Sequence, residues 1–212
     1  MNPKLEETLK NLGLLFARLM LGYLFFTQLW WKVPPTFGCN AQFGFTEEVN
    51  GKVQRTQGLC DWIGFESVYA KKPRKFFEAN LDNKGPAEIA LDVTLITGAN
   101  GAFIDSFVKP NIRWFGYAVF GMETFIAVSL MLGLLSRAGG LVGIAMALQL
   151  QLGLSGTPGE WEWIYHQTVA LAVVLAAIPS GRWLGVDQFL RPMFVAAAEK
   201  GNVLGKVFSW LT

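Results

Sequence analysis

Charge is what this sequence has least of. Asp, Glu, Lys and Arg make up 16% of its 212 residues while apolar residues reach 52%; a typical soluble domain carries about 25% charge. An ordinary water-soluble globule is therefore not expected. Eighteen Lys and Arg against sixteen Asp and Glu leave a net +2. With no helix-turn-helix and no aromatic RNA-binding signature, no nucleic-acid partner is expected either. Histidine occurs once, as His166, and cysteine twice, as Cys39 and Cys60. HExxH, CxxC and haem-attaching CxxCH patterns are all missing, so the sequence offers no intrinsic metal or haem site.

Long apolar runs, by contrast, are plentiful. Four stretches are read as long and apolar enough to cross a hydrocarbon core about 30 Å thick, which takes roughly 20 helical residues: about Leu12 to Val33, Trp114 to Leu135, Ala138 to Leu154 and Trp163 to Pro179. The last two are short, so a buried or re-entrant hairpin is the alternative for them. The first run is longer than the apolar core of a signal peptide, about 7–15 residues, and no small-x-small cleavage site follows. Thr36 to Cys39 only loosely resembles a lipoprotein cleavage site, and Lys32, Pro34 and Pro35 separate it from the run. The expected fold is all-α: an integral membrane four-helix bundle with a long extracytoplasmic loop containing short helices. Its parts would be an N-terminal tail and first span (1–33), the loop (34–113), spans two to four (114–179) and a cytoplasmic amphipathic tail (180–212).

Within the loop, the stretch from Phe65 to Gly85 reads as helical on both sides of Pro73, with turn signals at Asn83 to Pro86. Ile89, Val93 and Ile96 at helical spacing predict a second amphipathic helix from Pro86. At the other end Asp187 is a candidate N-cap for a surface-lying tail helix that Pro192 enters in its first turns. Lys4, Lys10, Arg137, Arg182, Arg191, Lys200 and Lys206 flank one side of the spans, whereas the third-to-fourth connection carries Glu160 and Glu162. The positive-inside rule then puts both termini in the cytoplasm and the long loop outside, as in a prokaryotic inner or cell membrane. There Cys39 and Cys60 meet an oxidising compartment. A structural disulfide closing their loop would contribute roughly 3 kcal/mol; a redox-active dithiol is the alternative.

Arg18 and Glu123 are the charges deepest in the spans, and intramembrane ionisable residues are candidate functional groups. Counted from the cytoplasmic ends they differ in height by about 9 Å. They read either as a structural ion pair or as a site where the carboxylate binds or deprotonates a quinol. His166, the side chain that titrates nearest neutrality, is the candidate proton acceptor for a quinol hydroxyl, or else an interfacial histidine. Trp114, Trp163 and Tyr165 belong to an aromatic stripe that anchors at the outer boundary and could wall a quinone headgroup. Gly139 and Gly143, followed by Ala147, form a small-xxx-small packing row. Gln149 and Gln151 continue it as candidate interhelical hydrogen-bond partners.

Three motifs in order resemble the DoxX/DoxD membrane-protein family, which includes the small subunit of thiosulfate:quinone oxidoreductase. They are Phe16-Ala17-Arg18-Leu19-Met20-Leu21-Gly22-Tyr23-Leu24-Phe25-Phe26 in the first span, Glu123 followed by Leu130-Met131-Leu132-Gly133-Leu134-Leu135-Ser136-Arg137, and Gly181-Arg182-Trp183-Leu184-Gly185-Val186-Asp187 after the last span. The resemblance covers most of the spans but not the loop 34–113. It implies a four-helix membrane bundle and, for the DoxD branch, quinone-linked thiosulfate oxidation with a separate partner subunit. Two functions follow as expectations. One is a membrane subunit of a quinone-linked oxidoreductase, with quinone as its only cofactor and the loop docking a partner or thiosulfate. The other is a non-catalytic accessory subunit of a larger respiratory or photosynthetic complex. A transporter is weakened by the lack of an inverted repeat.

Overall fold

A computed structural model describes residues 2–79 and 89–212. It is mostly helical, with eight α-helices among the described residues: α1 (Pro3–Gln28), α2 (Gly58–Ala70), α3 (Thr94–Phe103), α4 (Ile112–Leu132), α5 (Ser136–Leu154), α6 (Glu162–Ala177), α7 (Asp187–Glu199) and α8 (Val203–Leu211). Three helical segments are long and apolar enough to cross a membrane: Pro3–Lys32, Ile112–Leu132 and Ser136–Leu154. The fourth apolar stretch forms α6, whose 16 residues give a length of about 24 Å, shorter than those three segments.

The fold is not all-α. Two short antiparallel hairpins stand in the loop: β1 (Glu47–Val49) with β2 (Lys52–Gln54), and β3 (Lys75–Ala79) with β4 (Ile89–Asp92). Asn50 and Gly51 both take positive φ, 53° and 73°, the two-residue turn that Asn-Gly favours because its twist matches the strands. The helix expected after Pro73 is replaced by β3, where Phe76 is buried and Phe77 exposed, a period of two rather than 3.6. The helix expected from Pro86 begins at Thr94 instead. Ile89 lies in β4, the Val93 N–H donates to the Arg74 carbonyl at 3.0 Å, and the Asp92 carboxylate accepts the Thr94 N–H at 2.9 Å. That local side-chain bond ends the strand and starts α3. The turn expected at Asn83 to Pro86 lies outside the described residues.

Contacts divide the chain into two units. The first comprises Met1–Trp30, Gly121–Ala147 and Gln167–Thr212; the second comprises Trp31–Phe120 and Leu148–His166. In the first, Gly143 sits where helices meet: a Cβ there would touch Ala172 of α6 at 3.6 Å, and Ile126 of α4 and Leu21 of α1 at 3.9 Å. A Cβ at Gly139 would strike the Ser129 side chain of α4, and one at Gly140 would lie 2.5 Å from the Ala176 backbone nitrogen of α6. The small-residue row thus packs within this chain, and Gly140, outside the expected row, makes the tighter backbone approach.

In the second unit, chain segments 37–39 and 58–60 cross. Gly38 and Gly58 have φ of +70° and +64°; a Cβ on Gly58 would strike the Gly38 backbone, and one on Gly38 would strike the Trp31 carbonyl, so only glycine serves both demands. Beside this crossing Cys39 and Cys60 form a disulfide with Cα atoms 5.4 Å apart, and both residues are buried. Changing both to alanine is expected to cost about 3 kcal/mol of unfolding free energy through lost loop closure. Equal unfolding midpoints for wild type and the double variant in the absence of reductant would refute that role.

Candidate functional site

Two polar centres are built into these units. The first, in unit one, gathers all three motif segments. Arg18 of α1 is 1% exposed and donates to the carbonyls of Ser180 at 3.2 Å and Leu184 at 3.0 Å. Its guanidinium occupies space that a Cβ at Gly133 or Gly185 would fill. Asp187 is also buried. Its Oδ1 accepts from the Leu135 N–H at 2.7 Å and its Oδ2 from the Ser136 N–H at 2.9 Å. The Asp187 N–H donates to the Gly133 carbonyl at 2.8 Å, and the Gly181 N–H donates to Ser136 Oγ at 3.0 Å.

This geometry revises one expectation. Asp187 does not cap the tail helix: it is the first residue of α7, whose N-cap Val186 makes no side-chain bond, and its carboxylate instead satisfies orphan N–H groups where α5 begins. Asp187 is an acidic neighbour of Arg18, and two backbone carbonyls accept from the Arg18 guanidinium. Glu123 is buried on α4. Arg18, Gly133, Ser136, Gly181, Gly185 and Asp187 therefore form a structural knot, within which the Arg18 Nε is buried without a hydrogen-bond acceptor.

The second centre lies in unit two, at the C-terminal end of α5 and the N-terminal end of α6. His166 is held on both ring nitrogens, by Gln151 at 2.9 Å from Nδ1 and by Glu162 Oε1 at 2.9 Å from Nε2. With the Gln151 amide nitrogen donating to Nδ1, the ring proton sits on Nε2 and is donated to Glu162. Glu162 Oε1 also accepts the Phe77 N–H at 2.8 Å, and the Phe77 ring stacks on the imidazole with centroids 4.2 Å apart. Phe77 takes φ of 56° at an irregularity in the β3–β4 pairing. A left-handed conformation is unusual for an aromatic residue, and here it turns both the N–H and the ring of Phe77 onto the His166–Glu162 pair.

Glu66 of α2 extends this centre. It is buried beside Gly153, where any Cβ would collide with the carboxyl group, and it accepts from the Gln149 amide at 3.2 Å. Burial pushes its pKa up to about 8, although Gln149, Arg74 and Lys32 all favour the charged form. Arg74, buried as well, donates to the carbonyls of Gly153, Leu152 and Ser155, completing the C-terminal end of α5. Burial lowers the Arg74 pKa against the pull of Glu66 and Glu162, which ties the Glu66 and His166 groups into one electrostatic neighbourhood. Lys32 is buried with its ammonium over the rings of Trp31 and Trp62, at 4.3 and 5.3 Å from the ring centroids.

Of the aromatic residues read as a headgroup wall, Trp163 meets His166 edge-on at 6.0 Å. Tyr165 is buried in a cluster with Phe65 and Leu154, and its hydroxyl donates to Glu160 at 2.6 Å. Trp114 is exposed on α4 and has no ring contact with His166 among the described residues. Sequence reasoning missed Glu66, Arg74, Glu162 and Phe77. For Glu66 the signal was present: a carboxylate between Phe65 and Val68, in a helix apolar on nearly every side. Glu162 stands four residues before His166, one helical turn away. Among the described residues no group of three His, Cys, Asp or Glu could hold a metal ion. No family model, curated protein or solved structure matches this chain.

Proposed function

We propose that the chain is a membrane subunit of a quinone-linked oxidoreductase, resembling the thiosulfate:quinone type, that receives a quinone headgroup at the centre around His166. The observation that carries this reading is the His166–Glu162 pair, fixed under an aromatic ring at one end of apolar helices. Glu162 accepts the Nε2 proton and fixes the ring's orientation. The Nδ1 side, bonded to the long and adaptable Gln151 side chain, is where a quinone oxygen exchanges a proton once that amide gives way. Glu66, with its pKa near neutrality, is a second proton store in the same neighbourhood.

Quinone reduction takes two electrons and two protons. With thiosulfate as donor, two thiosulfates join through a new S–S bond and release the two electrons, which a separate subunit bearing the redox group passes on. This chain supplies protons and position. The accompanying topology is a four-helix membrane bundle of α1, α4, α5 and α6, with both termini cytoplasmic and the loop 34–113 outside, supported by the distribution of Lys and Arg at the helix ends.

A second reading, an accessory subunit of a larger respiratory or photosynthetic complex, draws on α1. Only 22% of its apolar window is buried, and Phe16, Met20 and Tyr23 are exposed on it. Purification from native membranes in mild detergent, with identification of co-purifying chains and a thiosulfate-dependent quinone reduction assay, separates the two. His166→Ala is expected to lower the rate tenfold or more with the complex still assembled. A complex that assembles and reduces quinone at the wild-type rate with His166→Ala rules out the headgroup site; a stoichiometric complex without such activity favours the accessory role.

A further inference from the structure

The helical hairpin α7–α8 has no place in the quinone reading. Its inner faces pack together: Phe194 stacks on Phe208 with ring centroids 5.2 Å apart, and Gly205 abuts Ala197 and Ala198 so closely that a Cβ would strike their backbone. Each helix also carries a bare apolar row beside its exposed polar residues. Phe189, Pro192, Met193 and Ala196 form one exposed row on α7, and Val203, Val207 and Trp210 form another on α8, each at the i, i+3 or i+4 and i+7 spacing of a single helix face; exposed Leu204 widens the second row.

The height of the hairpin is set by Arg137. This is the second residue of α5, a membrane-crossing candidate, and it donates to the Ala177 carbonyl at the end of α6 and to the Trp210 carbonyl of α8 at 3.1 Å. The end of α8 is thereby held level with the end of the apolar helices, where hydrocarbon gives way to headgroups. Arg182 joins the same end by donating to the Thr212 carbonyl at 2.8 Å. Burial and the neighbouring charges of Arg191 and Arg137 draw the Arg182 pKa below its usual value, so the three arginines share one electrostatic neighbourhood. The acidic side chains from 187 to 212 are Asp187, buried in the knot, and Glu199, against Arg191, Lys200 and Lys206.

From the two bare apolar rows, the arginine cluster and the tie to α5, we infer that α7–α8 lies in the plane of the bilayer interface and docks on anionic lipid. The apolar rows enter the acyl boundary while Arg137, Arg182 and Arg191 meet phosphate headgroups. A phosphodiester satisfies this cluster because each guanidinium has a planar fork of donors for its oxygens. The inference rests on the membrane-spanning reading and is independent of quinone.

The test uses the full chain in nanodiscs. All native cysteine is in the disulfide, so Val207→Cys provides a single thiol for bimane, and Leu204→Cys provides a second in a separate protein. In discs of phosphatidylcholine with phosphatidylglycerol, both labels are expected to be quenched by doxyl-lipid and shielded from aqueous iodide. Arg182→Gln with Arg191→Gln is expected to reduce the preference for phosphatidylglycerol over pure phosphatidylcholine discs by roughly tenfold. A chain that joins the disc while both labels stay open to iodide overturns the hairpin's placement alone. Burial of the labels to the same depth without phosphatidylglycerol, and unchanged by loss of the arginines, overturns the anionic docking. A chain that does not enter discs at all overturns the membrane-spanning reading and this inference with it.

Discussion

Asp187→Ala is expected to cost about 3–5 kcal/mol of unfolding free energy, the range for removing one partner of a buried charge pair. It strips the Leu135 and Ser136 N–H groups of their acceptor and leaves the Arg18 guanidinium buried without its acidic neighbour. Unmet buried donors cost roughly 1–3 kcal/mol each. Because Arg18 and Asp187 act on one knot, their effects should not add. Arg18→Met with Asp187→Ala should lose less than the sum of the two single changes, the surplus being a coupling of about 1–3 kcal/mol. Unfolding midpoints in detergent for the four proteins of this cycle decide it. Strict additivity would mean that the two side chains stabilise separate contacts.

The second large effect is a dependence on pH. Glu66 is protonated more readily in the folded chain, with a pKa of about 8, than in the unfolded one near 4.5. Between those values the folded state binds more protons, so stability falls as pH rises. The contribution is fully present below about pH 4.5 and is lost as pH climbs through about 8, a change on the order of 5 kcal/mol at most. Glu66→Gln keeps the shape and a hydrogen-bonding group without the charge. Its stability should therefore be flatter across that window and exceed that of the wild type at the alkaline end. The measurement is the unfolding midpoint of both proteins at several pH values; parallel curves would show that Glu66 ionises in place without penalty.

Much of the helical framework was legible because long apolar runs leave few alternatives. Arg18, Gly133, Ser136 and Asp187 stood out as motif members, yet their roles were not readable. A side chain reaching backbone carbonyls leaves no trace in the identities of the residues it touches, since Ser180 and Leu184 contribute only main-chain oxygen. The β hairpins were missed for a different reason. In Lys75 to Ala79, five residues carry too short a pattern to separate alternation from a helix face, and pairing with a distant strand decides the outcome. Val49-Asn50-Gly51-Lys52 did carry a local turn signal, hidden by the expectation of short helices. The centre around His166 was half visible. The histidine and its aromatic neighbours were in view, but Glu66 and Arg74 come from loop segments whose approach to Gln149 and Gly153 is set by tertiary packing.

The knot also has a history within each molecule's synthesis. Ser180, whose carbonyl receives Arg18, lies 162 residues further along the chain, so α1 is made long before its arginine can be answered. Until then the guanidinium needs water or another acceptor in place of its final partners. Translation through Leu184 supplies both carbonyls that the folded chain offers it. A nascent chain halted before residue 180 holds an Arg18 with neither of them.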